Sequence, residues 1–376
     1  MVAKARSAVL VLTCAMRQSA LCLAAACAPW VAAQASETRG YVVSWFTTAT
    51  YSQDGDCPDG LNPTADAMYR RILAEQGKSP SEVDELMRTF PVIKGGLIAN
   101  RGRIDGKSVN VYVNPTSVPD SKIHTVAGRF AYGFNLDGKG ATSPNSFEDP
   151  ETHERGVNNQ LFRALGCFVT ERGVPPARPT YPAIQWDMSR DQMPAWIIEI
   201  SGEGGPNRDG DVTVTFSRAT APVMRMASGE PQADVTFRLD PNQRTRNVVH
   251  GTVHNGLLLT DKFEFDLLQD PFGVAEYFFM DARLRLTFAA DGSIKGILGG
   301  YTPWRPIYVS LALGGSTNEG NLGIDTPGIF YALRRLADAY PDSATGANTA
   351  ISAAYAIEAI PAFVLRSESV RTASSR

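Results

Sequence analysis

Cysteine and histidine are scarce in this sequence. The 376 residues include five cysteines and four histidines, and three of the cysteines, Cys14, Cys22 and Cys27, precede position 36. No two cysteines form a Cys-x-x-Cys pair, which excludes a zinc ribbon and a haem-attachment motif. Two remaining cysteines cannot replace a core, so a chain of this length must bury a large apolar interior.

Several catalytic and nucleotide-binding motifs are also missing. The sequence has no Gly-x-Ser-x-Gly elbow, and residues 102–108 are one residue too short for a phosphate-binding loop. No Gly-x-Gly-x-x-Gly follows a predicted strand. Paired carboxylates remain open as glycosidase groups. The acidic residues in or beside the predicted sheet are Glu199, Glu203, Glu264 and Asp266.

Acidic side chains are absent before Glu37, and this stretch carries three basic ones, Lys4, Arg6 and Arg17. An apolar, alanine-rich run follows at 20–33, and Ala-Gln-Ala at 33–35 has the small-x-small pattern of a cleavage site. This three-part pattern predicts a signal peptide over 1–35 and export to the periplasm or the exterior. The apolar run is shorter than the roughly 20 residues that span a bilayer.

An alternative to free export is a lipid anchor, since Ala24 to Cys27 resembles a lipobox. Membrane contact is therefore expected only if Cys27 is lipidated. The chain has 36 Lys and Arg against 39 Asp and Glu, a formal charge of −3. This balance argues against a nucleic-acid partner.

Cys57 and Cys167 are the two cysteines left after the predicted cleavage. In an exported protein such a pair predicts one disulfide. The alternative is two buried free thiols.

An alternating apolar pattern runs from Ala195 to Tyr301. Turn-forming pairs such as Asn255-Gly256 and Asp291-Gly292 separate its segments. A period of two gives each strand one buried and one wet face. The sequence therefore predicts a β-rich α+β fold, with an antiparallel, sandwich-like core and flanking N- and C-terminal helices.

Helical patterns flank this region. Met68, Ile72 and Leu73 form one apolar stripe, and Ser79 opens a second helix with Glu82 completing a capping box. After the sheet, Thr326 starts a helix predicted to include Tyr340, and the alanine-rich 350–360 stretch is predicted as a buried helix.

The predicted segments are a mixed α/β region with a helical pair at 36–182, the sheet at 183–308, C-terminal helices at 309–366 and a disordered tail at 367–376. One domain over 36–366 is the alternative organisation.

The stretch from Asp54 to Pro63 is a candidate calcium loop. Asp54, Asp56 and Asp59 supply carboxylates, and calcium prefers oxygen ligands from such Gly-containing loops. The stretch resembles the acidic calcium repeats of thrombospondin type 3 sequences, including the Asn-Pro after the cysteine, although no tandem repeat follows. The alternative is a solvated turn before a helix.

Aromatic residues cluster at 301–308. Tyr301 and Trp304 could stack on a flat ligand such as a sugar, and Arg305 could add bidentate hydrogen bonds. Alternatively, Trp304 covers the end of the sheet where the C-terminal helices begin.

Two classes of function follow. The first is an exported, non-catalytic protein that binds a ligand or a protein partner on its β scaffold. It is favoured by the absence of a nucleophile motif. The second is an extracytoplasmic hydrolase that acts on glycans through paired carboxylates, which requires two acids in one cleft.

Overall fold

The computed structural model describes residues 36–89, 91–173, 178–242, 244, 246–268 and 276–366. These residues fall in one compact unit. The predicted signal peptide at 1–35, with Cys27, and the predicted tail at 367–376 lie outside the described residues. The segment boundaries at 182 and 308 stay predictions.

Strands are the most abundant regular structure in the described residues. The strands are β1 (Ser36–Thr48), β2 (Gly102–Ile104), β3 (Lys107–Val109), β4 (Phe147–Glu148), β5 (Arg155–Val157), β6 (Trp196–Glu203), β7 (Gly210–Arg218), β8 (Val235–Arg238), β9 (Asn247–His254), β10 (Leu257–Thr260), β11 (Phe263–Leu268), β12 (Glu276–Phe288), β13 (Ile294–Pro303), β14 (Ala339–Pro341) and β15 (Asn348–Leu365). Asn255 and Gly256 both have positive φ in the β9–β10 hairpin, as the Asn-Gly pair predicts.

Eight strands close into an antiparallel barrel. Their order is β1-β6-β7-β9-β10-β12-β13-β15, and β15 pairs with β1 to complete the ring. The closing register places Gly40 opposite Ala362 and Thr48 opposite Tyr355. β8 and β14 pair with β15 outside the ring, and β11 pairs with β12.

The barrel interior is filled by apolar side chains. Residues that face each other across neighbouring strands share one side of the sheet, as Val214 does with Val249 and Leu284 with Leu298. All four are buried in one apolar cluster. An eight-stranded barrel has an interior just wide enough for such packing.

The predicted sandwich is therefore wrong, and the core is a barrel. Alternation specifies which face of each strand is buried, but it is the same in a sandwich and in a barrel. Closure depends on the pairing of β1 with β15, which lie at opposite ends of the described chain. No local pattern encodes that contact.

The helices are short. They are α1 (Ala65–Glu75), α2 (Pro80–Met87), α3 (Pro91–Ala99), α4 (Gln160–Leu165), α5 (Thr180–Gln192), α6 (Trp304–Leu313), α7 (Gly315–Leu322) and α8 (Thr326–Leu336). The predicted caps are present: the Thr64 hydroxyl accepts from the Ala67 amide, and Ser79 and Glu82 form a reciprocal capping box. Within the described residues, no helix has the length and apolar character needed to cross a membrane.

The helix predicted at 350–360 is wrong, because this stretch lies in the middle of β15. It reads as apolar on all sides because both faces of the strand are buried, and such a strand loses its alternation. Tyr355 faces the interior opposite Leu298, while the Ser352 hydroxyl accepts from the backbone N–H of Gln160 in α4. The C-terminal helix also ends earlier than predicted, at Leu336, and Tyr340 lies in β14.

The predicted disulfide is confirmed. Cys57 and Cys167 are bonded, with Cα atoms 5.9 Å apart, within the usual range for a bridge. The bond links the loop after β1 to the segment that follows α4, on the outside of the barrel.

Candidate functional site

A cleft of about 720 Å³ lies on the outer face of the barrel. We call it the β13 cleft. Arg285, Ile297 and Ala356 are aligned across three strands on its floor, and so are Thr287, Lys295 and Glu358. Leu298 and Tyr355, one position along, face the interior instead. The segment 47–52, which ends β1 and continues into the following loop, forms one wall, and Tyr132 and residues 151–152 belong to another.

Three aromatic rings border the cleft. The rings of Tyr51 and Tyr132 meet edge to face, with centroids 5.9 Å apart. Trp45 lies beneath Arg178, whose guanidinium carbon is 3.8 Å from the ring centroid. Arg178 also donates to Glu358 at 2.8 Å. The cleft thus combines apolar ring faces with polar groups held in defined positions, as small-molecule sites do.

Arg285 is the buried cation of the site. It is 7% exposed, and its Nη2 donates to Asp149 at 2.6 Å. Within the described part of the chain, this is the sole hydrogen bond of the guanidinium, so other N–H groups stay free for a ligand. Burial alone would raise the pKa of Asp149, but hydrogen bonds from the Thr152 amide and from Arg285 hold it below its ordinary value.

Lys295 and Glu151 are the two charged groups without a partner here. Both side chains line the cleft and are exposed, and neither forms an ion pair within the described ranges. Glu358 lies opposite Lys295 in the register but pairs with Arg178. As far as the described residues reach, the cleft therefore offers one free cation and one free anion.

Glu171 lies behind the cleft wall. Its side chain is buried, with a hydrogen bond from Thr48 and no partner for Oε2 among the described atoms. Burial raises the pKa of Glu171 to about 8. Thr48 and Gly173 both line the cleft, so this carboxyl supports its wall from within.

The raised pKa of Glu171 should make the free energy of unfolding depend on pH. Between about pH 4.5 and pH 8 the carboxyl is ionised in the unfolded chain but neutral in the folded one, so stability falls as pH rises through this window. The slope approaches about 1.4 kcal/mol per pH unit. We expect Glu171→Gln to remove this loss and to be more stable than the wild type at pH 7. Urea unfolding from pH 5 to pH 8.5 measures it.

The exposed Glu203 supplies the control for this experiment. Glu203→Gln should follow the wild-type pH profile. Parallel profiles for the wild type and Glu171→Gln would mean that Glu171 is ionised in the folded protein.

The three aspartates of the predicted calcium loop do not form a metal-binding group in the structure. Asp54 and Asp59 are exposed, whereas Asp56 is buried and pairs with Arg172 at 2.9 Å. Asp56 also accepts from the backbone N–H of Gln53. Among the described residues, no three His, Cys, Asp or Glu side chains form a group that could hold a metal ion. Calcium binding stays a prediction.

The predicted aromatic platform is divided between two places. Tyr301 is buried on β13 against Tyr340, with ring centroids 5.9 Å apart. Trp304 begins α6, is 3% exposed and packs against Phe330 of α8. Arg305 is exposed, with its guanidinium over the Trp304 ring. Trp304 and Arg305 line a second groove, and Tyr301 does not.

Sequence reasoning missed the β13 cleft. The one available signal was the alternation of Arg283, Arg285 and Thr287 with apolar residues, which indicates a wet face. Arg285 is nevertheless buried, because the chain from 132 to 152 folds over it. No protein-family model, curated protein or solved structure matches this chain, so its function must be inferred from the β13 cleft itself.

Proposed function

We propose that this chain is an exported, non-catalytic protein that binds a polar ring-containing ligand, such as an oligosaccharide, in the β13 cleft. The observation that carries the proposal is the convergence of Tyr51 and Tyr132 on a cleft whose floor contains the buried Arg285, with Trp45 beneath Arg178 at its edge. Aromatic faces pack against the apolar faces of sugar rings, and guanidinium N–H groups donate to hydroxyl or carboxylate oxygens.

Hydroxyl groups supply the rest of the polar lining. They both donate and accept, which suits a ligand rich in hydroxyls. The hydroxyl-bearing residues of the cleft are Thr47, Thr48, Thr50, Ser52, Thr152 and Thr287. Tyr51 and Tyr132 add phenol groups to this set.

Export is supported by the Cys57–Cys167 bridge, because disulfides persist in oxidising compartments. The basic and apolar pattern at 1–35 agrees with this part of the proposal.

Glycan hydrolysis is the second candidate, and one observation favours it. Glu151 and Glu358 line the same cleft, and glycosidases need two carboxyl groups about 5–10 Å apart. The Glu358 carboxylate is held in place by its ion pair with Arg178 at 2.8 Å. A hydrolase would also need a protonated acid in reach of the ligand. Burial raises the pKa of Glu171, Glu319 and Asp338, and none of these three carboxyls lines the cleft.

Calorimetry with cellohexaose, chitohexaose and hexagalacturonate tests the proposal. We expect saturable binding of at least one of them. Tyr51→Ala should weaken that binding by roughly 2- to 10-fold, since it removes one ring contact. Phe363→Ala is the matched control, because Phe363 is exposed on β15 and lies outside the cleft. No saturable binding of any probe, or equal losses for both variants, would contradict the proposal.

The same samples separate binding from hydrolysis. A binding protein leaves the bound hexamer intact, whereas a hydrolase releases shorter products that chromatography detects. If products appear and Glu358→Gln abolishes them without weakening binding, the second candidate replaces the first.

A further inference from the structure

A second groove, of about 550 Å³, lies between α6 and the chain segment 112–116. We call it the α6 groove, and Phe330 of α8 also lines it. It shares no lining residue with the β13 cleft. A ligand in the α6 groove would therefore not contact the β13 cleft.

The α6 groove gathers exposed apolar side chains. Val113 is 77% exposed, Leu313 62% and Val309 48%, and all three line the groove. Single exposed apolar residues are ordinary on a protein surface, but several around one concave surface mark a binding site.

Hydrogen bonds to buried groups hold the walls of the α6 groove in place. The Tyr308 hydroxyl donates to the Tyr112 carbonyl at 2.7 Å, and the Tyr112 hydroxyl donates to Glu319 at 2.9 Å. Glu319 is fully buried and accepts two hydrogen bonds from Arg101. A buried ionic network therefore holds two groove-lining tyrosines in place. A ligand would meet a preformed surface, which lowers the ordering cost of binding.

Arg305 is the only charged residue that lines the groove within the described residues. Its guanidinium lies over the Trp304 ring, with 4.8 Å to the centroid, and within the described ranges it makes no ion pair or hydrogen bond. All five N–H donors are thus available beside an apolar surface. Guanidinium groups bind carboxylates in bidentate fashion.

We propose that the α6 groove binds an amphipathic carboxylate with an unbranched acyl chain. The acyl chain packs on Val113, Val309 and Leu313, and the carboxylate pairs with Arg305. Charge complementarity selects this occupant, because the described lining of the groove presents one unpaired cation and no acidic group to balance it.

Calorimetry with decanoate, decan-1-ol and decyltrimethylammonium, each below its aggregation concentration, tests the proposal. We expect decanoate to bind most tightly. Arg305→Gln should weaken decanoate roughly tenfold, the effect of losing a charge-assisted hydrogen bond, and should leave decan-1-ol within about twofold. Leu313→Ser should weaken both. Arg334→Gln is the matched control, since Arg334 is exposed on α8 outside the groove.

Three results would overturn the proposal. The first is no saturable binding of decanoate, and the second is equal affinity for decanoate and decan-1-ol. The third is a dimer in light scattering that Leu313→Ser converts to a monomer, which would make the groove an interface between two copies. Arg305→Lys keeps the charge and should recover part of the decanoate affinity, and unchanged urea midpoints show that the variants are folded.

Discussion

Replacing Glu319 by alanine should destabilise the protein by about 3–5 kcal/mol. Glu319 is fully buried, and its Oε1 and Oε2 accept from the two terminal nitrogens of Arg101 at 2.9 and 2.7 Å. The substitution leaves the Arg101 guanidinium, whose side chain is 10% exposed, without its anion. Arg101 would keep its hydrogen bond to the Ile98 carbonyl, but that bond brings no opposite charge to offset the lost hydration of a buried cation. Urea unfolding at pH 7 measures the change in the free energy of unfolding.

A surface ion pair provides the control for this experiment. Arg88 and Glu85 are also 2.7 Å apart, but both side chains are 70% exposed. Glu85→Ala should leave the free energy of unfolding nearly unchanged, because water already solvates both charges. The double variant Arg101→Met/Glu319→Leu should be more stable than Glu319→Ala, since it leaves no unpaired charge. Equal losses for Glu319→Ala and Glu85→Ala would show that the buried pair is solvated in solution.

The second large effect is expected from loss of the disulfide. The bridge joins positions separated by 110 residues. In the chain-entropy model, closing a loop of this length stabilises the native state by about 4–5 kcal/mol. Cys57→Ala/Cys167→Ala should therefore lower the free energy of unfolding by several kcal/mol. The guanidinium midpoint, measured without reductant, reports the change.

Reductant separates loss of the bond from loss of packing. Cys167 is fully buried, so its replacement by alanine also removes some contacts. Wild-type protein unfolded in the presence of a strong reductant should approach the midpoint of the double variant, and the variant should not respond to the reductant. A wild-type midpoint that ignores reductant would mean that the two sulfurs are not bonded in the protein.

Local features of the fold follow directly from the sequence. The Ser79–Glu82 capping box and the Asn255-Gly256 hairpin involve residues within four positions of one another. Their geometry depends on backbone conformations and hydrogen bonds that these residues favour in any context. The alternating strands from β6 to β13 were predictable for a similar reason, because a half-buried strand repeats every two residues.

The β13 cleft was not predictable in this way. Arg285 and Lys295 look like ordinary wet-face residues on their strands, and Trp45 looks like part of an apolar run. They become one site because β12, β13 and β15 align side by side and the chain from 132 to 152 crosses above them. Each of those contacts joins residues far apart in sequence.

The sequence by itself determined the local elements: the capped helices, the hairpin turn, most strands of the sheet and the pair of cysteines available for a bridge. The tertiary structure alone decided that the sheet closes, that 350–360 is a strand and which side chains line the β13 cleft and the α6 groove. Alternation encodes the buried face of one strand, whereas closure pairs Gly40 with Ala362 across the whole described chain. That pairing forms because the burial it brings outweighs the entropy cost of joining two distant segments, and no short stretch of sequence encodes this outcome.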